Sequence, residues 1–294
     1  MVNTMDKHRI FTSDYISNAV NDIKKIKPDY SLLLDLYERI FIEQENSRNS
    51  ISQVNPLVLT ESISEKSKGQ FPLVDVSQFI IDGESSEKLF MEICGILLTA
   101  GNGVTESVRR AVDALESQTL RAKELFSAFI GGDESFLAII AEKFNIDIQV
   151  LRFLIYNSLK PSLNMFSQGI SGSLDEEKEW GEGFCPVCGS MPELSVFEEN
   201  GKRSLLCGFC GYQWLSKRIY CPFCGNTDHE TLQYFEIEGE EEYRVDVCEK
   251  CCRYIKTLDM KKTSRLVYLP LENVSTPYID VRFKEMGYKA GNTV

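Results

Sequence analysis

Apolar residues recur at helical spacing through the first half of the chain. Leu33, Leu36, Tyr37, Ile40 and Phe41 fall at i, i+3, i+4, i+7 and i+8, and predict a helix opened by Pro28 with Asp29 in its first turn. Residues 50–83 break the pattern. Pro56, Pro72 and scattered serines surround the short run Phe79-Ile80-Ile81, and a long connection packed along the helices is expected. A second helix is predicted from Ser86 to Thr99, with Phe90, Ile93 and Leu97 on one face and Gly101-Asn102-Gly103 as its stop. Val108, Ala111, Val112 and Leu115 mark a third. Leu125, Phe126 and Phe129 mark a fourth, ended by Gly131-Gly132. Asp133 and Asp147 read as N-caps, the first before Phe136, Ile139, Ile140 and Phe144, the second before Leu151, Leu154 and Ile155. Pro161 is expected to end or kink that last helix and to restart it at its first turn.

The pattern then changes. Residues 167–183 are dominated by Gly, Ser and acids and read as a linker, with Trp180 as an anchor. Beyond it the period falls to two. Leu194 and Val196 alternate with polar residues, Asn200-Gly201 supplies a tight turn, and Ser204-Leu205-Leu206 returns. Leu232, Tyr234 and Ile237 lead to Gly239, and Tyr243, Val245 and Val247 alternate on the way back. Two hairpins are predicted. Tyr254-Ile255-Lys256 reads as a closing strand. Thr276-Pro277 reads as the start of a final helix lined by Ile279, Phe283 and Met286, packed on this module or on the helices.

Cysteines punctuate the hairpins. Cys185-Pro186-Val187-Cys188-Gly189, Cys207-Gly208-Phe209-Cys210-Gly211, Cys221-Pro222-Phe223-Cys224-Gly225 and Cys248-Glu249-Lys250-Cys251 make four CxxC pairs. Two thiolates separated by two residues reach one ion from a tight turn, and two such turns complete a tetrahedral shell. Glycine after the second cysteine suits a backbone that needs positive φ. Eighteen residues separate Cys188 from Cys207 and twenty-three separate Cys224 from Cys248, against ten between Cys210 and Cys221. The two longer intervals are the hairpins, so the first pair should meet the second, and the third should meet the fourth. The architecture expected is tandem zinc-ribbon or rubredoxin-like. A thioredoxin-type CxxC would stand once, before a helix in a βαβ unit, and no such unit surrounds these. Disulfides would need an oxidising compartment, and no apolar leader opens the sequence. Four sulfurs suit zinc and iron alike. His229 is a weak candidate for a ligand, since four cysteines already fill its site. Cys252, beside Cys251, is a spare thiol that could substitute for it or react.

Composition narrows the function. No apolar run approaches the roughly 20 residues of a membrane span, so the cytoplasm is the expected compartment. The formal charge is −12 with cysteines counted neutral, and two loaded four-thiolate sites would bring it to about −16. Nucleic-acid binding calls for a basic face. Lys202-Arg203 and Lys217-Arg218 are short clusters that read as a solvated face rather than a phosphate track, and Lys217 and Arg218 could also donate to sulfur or to a partner. The helical part offers one histidine, His8, and Cys94 within an apolar run that reads as a buried structural thiol. Glu106, Arg109, Arg110 and Asp113 read as helical ion pairs. No nucleophile–base set can be assembled, so no enzyme is expected.

These motifs resemble the formate dehydrogenase accessory protein family, FdhE. The resemblance rests on Cys185-Pro186-Val187-Cys188-Gly189-Ser190 and on Leu206-Cys207-Gly208-Phe209-Cys210 running into Trp214 and Arg218. Cys221-Pro222-Phe223-Cys224-Gly225 and Cys248-Glu249-Lys250-Cys251 before Tyr254-Ile255-Lys256 complete it. The N-terminal part matches in length, helicity and a helix reaching Pro161. The resemblance implies a maturation factor that contacts the catalytic subunit of a molybdenum- or tungsten-containing formate dehydrogenase and carries rubredoxin-like sites. Its ligands here would be Cys185, Cys188, Cys207, Cys210, Cys221, Cys224, Cys248 and Cys251. Cys252 stands where glycine or another small residue would be expected.

The reading is therefore an α+β chain. A helical domain at 1–166 precedes a linker at 167–183, a double CxxC module at 184–262, and a tail with a short helix at 263–294. Its expected role is a cytoplasmic chaperone with two tetrahedral iron or zinc sites, bound to the formate dehydrogenase catalytic subunit. A redox-active iron carrier or sensor and a zinc-ribbon nucleic-acid binder are the alternatives.

Overall fold

A computed structural model describes residues 10–51, 66, 69, 71–101, 103–172 and 174–291. His8, Pro56, Asn102 and Ser173 lie outside the described residues. The chain divides into two compact units. One holds residues 10–55 and 76–166; the other takes 1–9, 56–75 and 167–294.

The first unit is helical. α1 (Ser13–Ile26) buries Ile16, Ala19, Val20 and Ile23 at helical spacing, and the Thr12 hydroxyl accepts from the Tyr15 amide at its start. α2 (Ser31–Ser50) follows a single 3-10 turn at Pro28–Tyr30, so Pro28 opens that turn rather than the helix. Its buried face is Leu34, Ile40, Phe41, Gln44, Glu45 and Arg48, rotated from the expected stripe; Leu33 and Leu36 are only half-buried. α3 (Gly83–Ala100) buries Phe90, Ile93 and Leu97 as predicted and stops at Gly101, φ +62°. α4 (Thr105–Glu116), α5 (Ala122–Ile130) and α6 (Glu134–Phe144) complete the short helices. Asp133 accepts from the Phe136 amide at 2.9 Å, and Asp147 from the Gln149 and Val150 amides at 2.8 and 3.1 Å. Both predicted caps are in place. Of the four charges on α4, Arg110 pairs with Glu106 at 3.1 Å. Cys94 is fully buried, and burial pushes its thiol up to about 12, as suits a structural residue.

α7 (Ile148–Ser171) runs through Pro161 without ending there. A proline inside a helix leaves the carbonyl four residues back without its donor. That carbonyl is Asn157 O, and the Gln44 side-chain amide donates to it at 2.8 Å. Gln44 is buried, so α2 supplies what Pro161 removes.

The second unit is built on a seven-stranded sheet. β1 (Pro192–Phe197), β2 (Arg203–Cys207) and β3 (Gln213–Ser216) form one antiparallel ribbon. β4 (Leu232–Glu236), β5 (Tyr243–Cys248) and β6 (Arg253–Asp259) form another. The strand order is β3-β2-β1-β6-β5-β4, with the short β7 (Lys289–Ala290) against β6. β1 and β6 pair in parallel, Leu194 opposite Lys256 and Phe197 opposite Asp259. The tandem ribbons are thus halves of one continuous sheet. The predicted turns fall at Gly201 and Gly239, φ +82° and +79°.

One face carries Val196, Val245, Tyr254 and Leu258, covered by Ile279 and Phe283 of α9 (Pro277–Glu285). Pro277 sits at the helix start as read. Thr276 does not cap through its side chain; its hydroxyl donates back to Glu272 O at 2.9 Å. α8 (Leu269–Val274) places Glu272, fully buried, against Arg265 and Tyr243, and Arg265 also meets Glu242 at 2.9 Å. A buried carboxylate needs such partners.

The connection expected to pack along the helices does so at Phe79, whose ring lies 4.7 Å from that of Phe166 on α7, whereas residues 71–75 reach Pro186 O and Val187 O through the Leu73 and Val74 amides, at 2.9 and 3.0 Å. They form a strap across the first cysteine turn. Trp180 does anchor its segment, with its amide donating to Leu215 O at 2.9 Å beside β3. No helix among the described residues is long and apolar enough to cross a membrane.

Candidate metal centres

Each cysteine turn is shaped by its own backbone. The Cys185 amide donates to Ser190 O, Cys207 to Tyr212 O and Cys221 to Asn226 O, at 2.8, 2.9 and 2.8 Å. Within each turn the following glycine amide donates back to the first cysteine's carbonyl, at 2.9 Å for Gly189, 3.3 Å for Gly211 and 2.9 Å for Gly225. These glycines have φ of +76°, +71° and +71°. The fourth turn reaches the left-handed region at Cys252, φ +52°, with a side chain in place.

The hairpins carry these turns together as the loop lengths predict. Cys185, Cys188, Cys207 and Cys210 form one group, and Cys221, Cys224, Cys248 and Cys251 another, with the sulfurs of each within 4.8 Å of one another. Cys188 Sγ lies 3.5 Å from Cys207 Sγ and 3.6 Å from Cys210 Sγ, and Cys185 Sγ lies 3.7 Å from Cys210 Sγ. In the second group the Cys221–Cys251 and Cys224–Cys248 separations are 3.6 and 3.7 Å. A tetrahedron with metal–sulfur bonds of about 2.3 Å has edges of about 3.8 Å, whereas a disulfide needs about 2.05 Å. Each group could hold one metal ion, and the donor set fits zinc or iron equally.

Hydrogen bonds to sulfur support the thiolate form. The Phe209 and Cys210 amides both donate to Cys207 Sγ at 3.4 Å. Asn226 Nδ2 donates to Cys248 Sγ at 3.5 Å and to Thr231 Oγ1 at 2.8 Å. Burial works to raise the Cys248 thiol, but the Cys251 amide, the Asn226 side chain and the Lys250 amide outweigh it and hold it at about 7. In the first group burial drives Cys185 and Cys210 well above the ordinary thiol range. Hydrogen bonds from Cys185, Cys207 and Cys210 hold Cys188 far below it. Binding of an ion there must displace protons, so affinity falls as pH falls.

The other residues singled out from the sequence fall outside the groups. His229 is exposed and belongs to neither. Cys252 is exposed, with Sγ 3.6 Å from Glu249 O. Arg218 donates to Gly201 O at 2.6 Å and stacks over Phe197, while Lys217 lies over the Tyr220 ring. Asn226 was not singled out; an amide side chain just after Cys-x-x-Cys-Gly was its one signal.

The protein-family model "FdhE, central domain" matches residues 184–218, the first two cysteine turns and the hairpin between them. The "Protein FdhE homolog" of Aquifex aeolicus is 28% identical over 280 residues, which is 94% of this chain and 92% of that protein. "Protein FdhE" of Escherichia coli is 25% identical over 234 residues, 78% of this chain and 71% of that one. The crystal structure of the FdhE protein from Pseudomonas aeruginosa shares the fold with a TM-score of 0.65 at 18% identity, covering 96% of this chain and 95% of that one.

Proposed function

We propose that this chain, a relative of the FdhE proteins along 94% of its length, is an accessory factor for formate dehydrogenase that binds the immature catalytic subunit. Cys185, Cys188, Cys207 and Cys210 hold one ion, and Cys221, Cys224, Cys248 and Cys251 hold the other. The observation that supports the reading most is the pairing of all eight sulfurs at the edge lengths of two tetrahedra. When bound, the ions supply fixed charge and cross-links that stabilise a small sheet unit. The chain is a binding factor in this reading, not a catalyst. Its place is the cytoplasm, where thiols stay reduced.

Co-purification with the formate dehydrogenase catalytic subunit tests the partner. Retention of the subunit by the wild-type chain, lost on Cys207→Ser, is the expected result. No retention by the metal-loaded wild-type chain would reject the reading.

The second group also favours a redox variant of this role, because Cys224 reaches solvent. Four-sulfur iron changes oxidation state and zinc does not. Visible absorption that bleaches on reduction, in protein purified without oxygen from its own host, is the expected sign. Zinc alone at both sites would end that variant.

A further inference from the structure

The two groups differ in what shields them. In the first, Cys185, Cys188, Cys207 and Cys210 are 0, 6, 1 and 1% exposed. The strap at residues 71–75 covers its first turn with two backbone hydrogen bonds, and Pro72 comes so close to Gly189 that a Cβ there would lie 3.0 Å from its ring. Ser167 donates to Cys210 O behind the second turn. Among the described residues the second group is covered at its third turn by Gly183 and Gly291, and its fourth turn meets the tail, where the Lys289 amide donates to Cys252 O at 2.8 Å. Gly183 lies against the Pro222 backbone and Gly291 against the Phe223 ring, so tightly that neither could carry a side chain. Cys221 and Cys248 are buried. Cys251 is half-exposed and Cys224 is exposed.

A four-thiolate site loses its ion by stepwise ligand replacement. One metal–sulfur bond breaks, the sulfur leaves with its electron pair and takes a proton from solvent, and a competing donor fills the vacated position. Each step needs solvent or the competitor at a sulfur, so the shell around the site controls the rate. We propose that the chain holds its two ions with different lifetimes. The ion of Cys185, Cys188, Cys207 and Cys210 is the long-lived one. The ion of Cys221, Cys224, Cys248 and Cys251 is exchangeable, opens at Cys224, and is the one that soft donors such as thiols and imidazoles reach. This rests on the reading of both groups as metal sites.

The test uses the full chain loaded with Zn2+ at both groups, under argon, challenged with a chromophoric pyridylazo chelator in the absence of denaturant. Release should be biphasic with equal amplitudes, the slow phase slower by about 10–100-fold or more. Cys224→Ser should remove or accelerate the fast phase and leave the slow one unchanged. Val74→Pro touches no sulfur but removes the amide that bonds Val187 O, and should accelerate the slow phase alone. A single phase from doubly loaded protein, a fast phase unaltered by Cys224→Ser, or a slow phase insensitive to Val74→Pro would overturn the inference while leaving the metal reading intact. Failure to take up zinc at either group would instead reject that reading.

Discussion

Gly189, Gly211 and Gly225 end three cysteine turns at positive φ, and Cys252 ends the fourth at +52°. An L-residue there brings Cβ against the following carbonyl oxygen, at a cost of roughly 1–2 kcal/mol. Gly225 isolates that backbone effect, because a Cβ added to it would meet nothing within 4 Å. Gly225→Ala should lower stability by about 1 kcal/mol, and Cys252→Gly should raise it by a similar amount. Urea unfolding of the metal-loaded chain checks both, and the opposite signs are the diagnostic. The turns were legible because Cys-x-x-Cys-Gly decides its geometry within five residues. Asn226 was not, since its amide serves a sulfur 22 positions away.

Among the elements, α7 shows where local rules stop. A proline reads as a break because the sequence displays the missing N–H and not the replacement donor. Gln44, 113 positions before Asn157, supplies it from another helix. Gln44→Ala should cost about 1–3 kcal/mol, because it strands a buried carbonyl. In a Pro161→Ala background the new amide at 161 can bond Asn157 O, so the same Gln44→Ala change should cost less. A double-mutant cycle by thermal or urea unfolding should therefore give a coupling of about 1 kcal/mol. Strict additivity would show that Gln44 acts through packing alone. The same limit applies to the strap at 71–75. Its Pro72 and the scattered serines of the connection read as loop, and the partners that define it lie at Pro186 and Val187. By contrast the two hairpins were readable from alternation and a central glycine, both local signals.

At the scale of the molecule, the sequence reads as two ribbons and the structure joins them. The joint is the parallel pairing of β1 with β6, between strands that belong to different hairpins. No short-range pattern announces such a pairing, and its consequence is that damage at one metal site travels. Cys207 closes β2, and its sulfur holds the Phe209 and Cys210 amides. β2 pairs with β1, and the other neighbour of β1 is β6, which carries β5. A structural zinc ion contributes about 10–16 kcal/mol in small metal-binding peptides. A whole domain is stable by about 5–15 kcal/mol. Loss of the first, buried ion is therefore of the same order as the stability of a whole domain, and because β1 is the strand that joins the ribbons, the second ribbon should lose protection with the first. Hydrogen exchange read by mass spectrometry should show Cys207→Ser stripping protection from β4, β5 and β6 together with β1 to β3, while α1 to α6 keep theirs. Wild-type protection in β5 and β6 beside an unprotected β1 and β2 would mean that the ribbons fold independently and that the parallel joint carries little of the stability.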